Sequence, residues 1–530
     1  MTVVQPVIIV GAGPTGLALA LALARQGVPT LVLDEGDGRI APRPARTCVL
    51  PPDTARWAGL PAAREDTEVW EAWRTTHRGR TAQFTEFTTG EAPVHLPQHT
   101  LEQALRDAAR GEELVRLAPG CRLTGLEQDA DGVTADVTTG DDGAGSAQHR
   151  GSHLVGCDGS RSTVRKLLGI PFPGRTAVER YAVAALRLTL PWPGEAGLHR
   201  ALRGPGRGEI GEVTARPLAG GRWRLDWPLP DDTSLVTPDA MLDRIHRTLA
   251  AWHEGDIPEY ALLDTGVHIC HQRLARRWRS GRAFLAGDAA HLVGALGAQQ
   301  VAESLRDVQN LAWKLAVDWH HGDAEVLLDS YQAERRAAVG RRLRAVDQAL
   351  PLVRGRNALT ERIMVRGRAR LTLLTDSQLG RGALGTPGNY ANSPLAPPED
   401  HGTVTDTPPG SPVADVPVTA LDGSRARLHD WLGGPPLVVL TAPGSRVWDA
   451  RHWLSAGLIP ELAATLHELP MASELLVTEA FPGAPAHTLL VVRPDGHLAA
   501  ALPGADLPGL RACVTALRGV APRTPAPRPR

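Results

Sequence analysis

A run of β-branched residues, Val7-Ile8-Ile9-Val10, leads straight into Gly11-Ala12-Gly13-Pro14-Thr15-Gly16 and then into an apolar helical stretch over 17–26. A short buried strand, a glycine-rich turn and a helix in this order leave few folds open. Gly11 permits a tight turn, Gly13 lets backbone approach a pyrophosphate, and Gly16 lets helix and strand pack closely. The unpaired N–H groups of the first helical turn, where Pro14 and Thr15 sit, then face the phosphates. A second apolar strand over 30–33 ends on Asp34-Glu35. An acid there is placed to accept hydrogen bonds from ribose hydroxyls, with Asp34 the first candidate and Glu35 the second. The pattern predicts an α/β chain with a Rossmann-like nucleotide-binding domain, and alone it does not separate FAD from NAD.

Composition sets outer limits. The 530 residues suggest about three or four domains, enough for a large core. The 57 Lys+Arg against 58 Asp+Glu lack the basic excess of a nucleic-acid binder. Only two basic residues are lysines, Lys166 and Lys314, so arginine is a compositional habit and a lone Arg says little. Cys48, Cys121, Cys157, Cys270 and Cys513 are scattered, with no CxxC and no metal-ligand spacing. They imply no disulfide framework, no metal and a reducing, cytoplasmic home. No basic n-region precedes the opening strand, and no stretch approaches the ~18–20 apolar residues of a membrane span. Neither export nor a membrane partner is expected.

Two further segments repeat the strand-to-acid pattern. Over 154–165 an apolar strand meets Cys157-Asp158-Gly159 and a helix start; over 282–291 a strand runs into Gly287-Asp288, and 304–317 reads as a long helix. Gln98 with Glu102, and the run Asp307-Val308-Gln309-Asn310-Leu311-Ala312-Trp313-Lys314-Leu315, complete an ordered set. In order and spacing it resembles the single-component FAD monooxygenases, the aromatic hydroxylases with the p-hydroxybenzoate hydroxylase fold, from about Val7 to Arg344. The resemblance implies FAD as resident cofactor and NAD(P)H as transient reductant. It implies that Gly287 and Asp288 hold the ribityl chain, that Gln98 lies by the FAD, and that Asp158 serves both FAD and docked NAD(P)H. Arg43 and Arg46 compete for the flavin-side arginine: spacing to Gly59-Leu60 favours Arg43, and the local Arg-x-x-Val-Leu pattern favours Arg46. On physical grounds Asp288 is also a candidate helix N-cap. His291 reads as a packed histidine rather than a base, and Asp307 and Trp313 as structural.

The chain departs from the family after His291. Where the family reads H-x-x-P-P-x-G-G-Q-G-x-N, residues 291–302 read His-Leu-Val-Gly-Ala-Leu-Gly-Ala-Gln-Gln-Val-Ala. In the family this loop passes the reactive edge of the isoalloxazine, and the next helix N-terminus faces it. That helix-dipole role needs backbone N–H groups only, so Gly297, Val301 and Ala302 remain cofactor candidates. Losing the paired prolines adds backbone freedom at Gly294. One reading is a pocket reshaped for a bulky substrate, with Gln299 or Gln300 donating to it; the other is a chain that binds flavin without efficient oxygenation. Gly294, Ala295 and Gln299 are therefore substrate-side candidates, joined by Trp73 and Trp223 as aromatic walls that at strand spacing also read as core.

These segments predict a discontinuous FAD-binding domain (1–65, 98–173 and 277–380) and an inserted β-sheet substrate domain (66–97 and 174–276). A linker or extended crossing segment follows at 381–413, then a thioredoxin-like C-terminal domain without CxxC at 414–520 and a disordered tail at 521–530. The charges of Tyr331-Gln332-Ala333-Glu334-Arg335-Arg336 read as a solvated helix face, and the C-terminal domain as a packing or oligomer element. By resemblance the expected activity uses NAD(P)H and O2 and forms a hydroperoxyflavin that hydroxylates an aromatic or polyketide-type molecule. Baeyer–Villiger insertion and a non-oxygenating flavin-binding partner stay open, as does the choice between monomer and homodimer.

Overall fold

The computed structural model describes residues 5–519 except 60–66, 89, 141–144, 205–207, 231–234, 295–298, 323, 355–367, 382–383, 385–387, 391, 397–401, 446–456 and 505. Val7–Val10 pairs in parallel with Thr30–Asp34 on one side and His153–Gly156 on the other, and the latter pairs in parallel with Ala283–Leu285. Parallel strands covered on both faces need continuous apolar runs, which is what these segments supply. They form the middle of a six-stranded sheet whose outer strands are Val115–Pro119 and Arg279–Ser280. Helices Pro14–Ala24 and Gln300–His321 pack against each other. All four central strands run the same way, so their carboxyl ends bring Gly11, Asp34, Asp158 and Asp288 to one edge. In open α/β sheets that edge is where ligands bind.

The second large sheet has eight strands, running His291–Val293, Ala261–Leu274, Gly174–Arg187, Arg222–Pro228, Glu209–Leu218, Glu195–Arg203, Ala72–His77 and Arg80–Glu86. The amphipathic helix Pro238–Trp252 covers one face, burying Met241, Ile245 and Leu249 against Trp223, Leu225 and Trp227. Two stretches cross the expected partition. Val94–Pro97 leaves the big sheet to pair with Thr47–Leu50, so 66–97 is divided between two sheets. His291–Val293, past the Gly287-Asp288 turn, pairs with the end of Ala261–Leu274 and stitches the nucleotide sheet to the eight-stranded one.

Beyond residue 413 a third unit has six strands in the order Arg425–Arg427, Pro417–Ala420, Glu474–Thr478, Leu437–Thr441, Thr488–Val492 and Leu498–Pro503. Helices Ile459–His467 and Leu507–Leu517 pack on it. Within the described part of 381–413, Tyr390 is buried and stacks on His497 at 4.1 Å between ring centroids. The tail 521–530 lies outside the described residues.

One expectation is overturned. Glu334 and Arg335 are buried, not solvated, inside the π turn Gln332–Arg336. Their charges are matched by Lys314, Arg493, Glu303 and Asp307, all equally enclosed. Sequence periodicity marked a helix face; the partners that make burial tolerable come from distant segments. Among the described residues no helix is long and apolar enough to cross a membrane, and no cluster of three or more His, Cys, Asp or Glu is arranged for a metal. None of the five cysteines is in a disulfide.

Candidate functional site

A cleft of about 1070 Å³ opens along the carboxyl edge of the nucleotide sheet and runs on to the eight-stranded sheet. At its first pole the glycine turn does what its residues require. Gly11 has φ +103°, and a Cβ there would lie 2.5 Å from the Cys157 carbonyl oxygen; at Gly16 it would lie 1.9 Å from the Gly11 oxygen. A Cβ at Gly13 would meet nothing within 4 Å, so the backbone there faces open cleft beside Pro14 and Thr15. Gly287, at φ +61°, packs so closely on Thr15 that a Cβ would come within 2.7 Å of its hydroxyl. That contact packs the Gly287 turn directly against the first turn of the helix.

The carboxylates divide their work. Asp34 Oδ2 accepts from the Ala12 N–H at 2.7 Å and Oδ1 from the Gly36 N–H at 2.9 Å, fixing the glycine turn with lone pairs to spare. Glu35 lies at the exposed rim, 3.3 Å from Arg122. Asp158 Oδ2 accepts from Thr163 and Val164 at 2.7 and 3.0 Å, while its Oδ1 is buried with no partner among the described residues. Burial pushes this carboxyl above its usual range. Asp288 does not cap a helix: its short turn has Ala286 at the N-cap and no side-chain cap bond. Its Oδ1 accepts from Gln300 Nε2 at 2.7 Å, and burial raises it as well.

Arg43 and Arg46 both line the cleft. Arg46 Nε donates to Gln98 Oε1 at 2.9 Å, and Gln98 Nε2 donates to Glu102 at 2.8 Å. Both arginines are within the cleft, so neither candidate is eliminated. Arg161 and the exposed Lys166 stand at the mouth.

The second pole is built on the Ala261–Leu274 strand. His268 and Val183 share the sheet face that carries Arg224 and Asp226, and Leu292 and Gly294 line the cleft beside them. The floor is polar and tightly tied. Asp226 sits between Arg216 Nη1 and Arg224 Nη2, each at 2.6 Å, so one positive charge is left over. Arg224 donates to Thr47 Oγ1 at 3.1 Å, and Thr47 shares a 2.8 Å bond with His95 Nε2. His95 Nδ1 faces the Pro217 carbonyl at 2.7 Å, which makes Nδ1 the protonated nitrogen. Burial pushes this histidine down to about 3, in keeping with a neutral ring.

Several sequence candidates fall elsewhere. Trp73 is fully buried against Trp70, and Trp223 lies under the Pro238–Trp252 helix; neither lines the cleft, because their strand faces meet protein. Gln299 is buried, accepts from Arg342 Nη2, and packs on Gly380, turned away from the cleft. Ala302 points into the core, while Val301 does line the cleft. Ala295 and Gly297 lie outside the described residues. Gln300 was the better of the two glutamines, but its amide serves the protein, donating to Asp288 and the His291 carbonyl and accepting from the Val293 N–H. His291 is the packed histidine expected, bonded to Asp307 at 2.7 Å and stacked on Trp278.

The donors fit a flavin dinucleotide. An open backbone face at Gly13 and an orphaned buried oxygen on Asp158 both lack a partner that such a ligand offers. The chain belongs to the FAD binding domain family, whose model matches residues 5–346. It is a flavoprotein enzyme of the monooxygenase class. It is 34% identical over 352 residues to a rifampicin monooxygenase of Streptomyces venezuelae, covering 62% of this chain and 67% of that one. It is 33% identical over 348 residues to a dialkyldecalin synthase of Streptomyces rugosporus, covering 63% and 70%. These matches span about two thirds of the relatives' own length. The solved structure of the flavin-dependent monooxygenase PieE with FAD and substrate superposes with a TM-score of 0.72, 22% identity, and coverage of 97% and 99%.

Proposed function

We propose that this chain is an FAD-dependent, NAD(P)H-consuming monooxygenase that places one oxygen atom from O2 on an aromatic or polyketide-type molecule. One observation carries the reading: a single cleft joins the nucleotide pole at Gly13, Asp34 and Asp158 to a second pole lined by Val183, His268, Leu292 and Gly294. At about 1070 Å³ it reaches the upper end of small-molecule sites, with room for a cofactor and a second molecule. Bound FAD supplies electron uptake from NAD(P)H and activation of O2; the protein orients and shields. Asp288 and Asp158 would hold sugar hydroxyls of the cofactor, and Arg46, steadied by Gln98, would stand on its flavin side. The leftover charge of the Arg216–Asp226–Arg224 set favours the ionised form of an acidic hydroxyl placed over Arg224.

The test is NADPH oxidation and O2 uptake by FAD-loaded protein across a panel of polycyclic phenols and enolised ketones, run under 18O2. A product carrying one labelled oxygen supports the reading, and a hydroxyl rather than a hydrolysable ester separates hydroxylation from Baeyer–Villiger insertion. A second reading is favoured by the relative named as a synthase: a flavin-holding protein that transforms its substrate without oxygen. An isomeric product formed without O2 or NADPH would establish it and sink the first.

A further inference from the structure

Glu334 and Arg335 are neighbours in the π turn Gln332–Arg336, yet their side chains serve different units. Arg335 Nε donates to Asp307 Oδ1 at 2.9 Å. Asp307 Oδ2 in turn accepts from the Gly287 N–H at 2.9 Å and from His291 Nε2 at 2.7 Å. Asp307 thereby grips both ends of the short turn that carries Asp288.

Glu334 faces the C-terminal unit. It accepts from Arg493 Nη1 and Nη2 at 2.7 and 2.8 Å, Lys314 Nζ at 2.6 Å, Asn310 Nδ2 at 2.8 Å and the Ser393 hydroxyl. Arg493 also binds Asp495 Oδ2 at 2.6 Å, and Asn310 reaches that oxygen at 2.9 Å. Two acids and two bases balance in a space closed to water; Lys314 is fully buried and Arg493 is 2% exposed. Burial alone would raise Glu334, but Arg493 and Lys314 hold it well below the carboxylate range. Buried charges of this kind are held in one geometry, because losing a partner strands the other.

We propose that the Arg493–Asp495 pair is a positioning element for the flavin: it fixes the π turn through Glu334, and the π turn, through Arg335 and Asp307, sets the Gly287-Asp288 turn. On this view the C-terminal unit is part of the cofactor site although none of its described residues lines the cleft. The inference rests on the flavin reading of the cleft. It also explains why Glu334 and Arg335, which look solvated by periodicity, are buried.

The experiment compares Arg493→Met, Arg493→Lys and Asp495→Asn with Leu476→Ala, which opens the C-terminal core away from the network. FAD affinity is titrated on apoprotein by flavin fluorescence, at a temperature where circular dichroism shows each variant folded, and apoprotein Tm is recorded alongside. Arg493→Met should weaken FAD about ten-fold or more, and Asp495→Asn a few-fold. Arg493→Lys should recover part of the loss, since an ammonium cannot reproduce the forked contact to both acids. Leu476→Ala should lower Tm while leaving FAD affinity within about two-fold of the parent. Unchanged affinity in both network variants would overturn the proposal, as would equal weakening by Leu476→Ala. If Arg493→Met does not fold, Asp495→Asn decides by the same criteria. A parent protein that binds no FAD would instead remove the flavin reading itself.

Discussion

Asp288 and His95 show how single buried groups govern the cleft. Asp288 offers its carboxylate to the cleft while Gln300 holds one oxygen. Hydrogen bonds to charged groups are worth about 1.5–3 kcal/mol, so Asp288→Ala should weaken FAD binding roughly ten- to hundred-fold in equilibrium titration; undiminished flavin retention would reject its role. His95 is neutral in the fold, pushed down by burial to about 3. In the unfolded chain it takes up a proton near pH ~6.5. Between these values the unfolded state binds the extra proton, so stability is lost as pH falls, by about 1.4 kcal/mol per pH unit inside the window. His199, pushed down by burial and then by Arg74 to about 4, adds to the same slope. Denaturant melts of the parent and His95→Gln between pH 7 and 4 check this: the variant should show the shallower decline.

The elements that build the cleft differ in how openly the sequence announced them. The nucleotide strands were legible because parallel strands covered on both faces must be apolar throughout, and because each ends on a glycine or an acid whose place the turn dictates. The glycine turn, Asp34, Asp158 and Asp288 were readable for that reason. The aromatic walls were not. Trp73 and Trp223 alternate as strand residues do, but alternation says that one face is buried without saying whether protein or ligand covers it. Trp223→Ala should therefore cost about 3–5 kcal/mol of stability, as removal of a core aromatic does, with the KM of the surviving folded enzyme nearly unchanged; a KM effect without a stability loss would return it to the pocket wall. The buried ion pair of Glu334 in the Gln332–Arg336 turn was equally hidden, since its partner Arg493 lies more than a hundred residues away.

At the scale of the whole molecule, two sheets share one cleft, and the strand His291–Val293 ties them together. The loop where the chain lacks the paired prolines follows directly on that tie, so the sheets hold its first end although its own residues are permissive. Replacing Gly294 is a direct probe, because a Cβ there would meet the Cys270 and His271 backbone at 3.3 Å. Gly294→Val should shift the cleft wall and lower kcat/KM for bulky substrates while FAD affinity holds, which separate kinetic and binding measurements would show.

The two lysines carry a practical consequence. Lys314 is sealed among Glu334, Asn310 and Arg493, whereas Lys166 stands exposed at the cleft mouth. Towards an amine-reactive dye the folded protein thus presents a single side-chain address, besides its α-amino group. A fluorophore placed there would sit at the doorway, and its emission would report the arrival and departure of whatever enters.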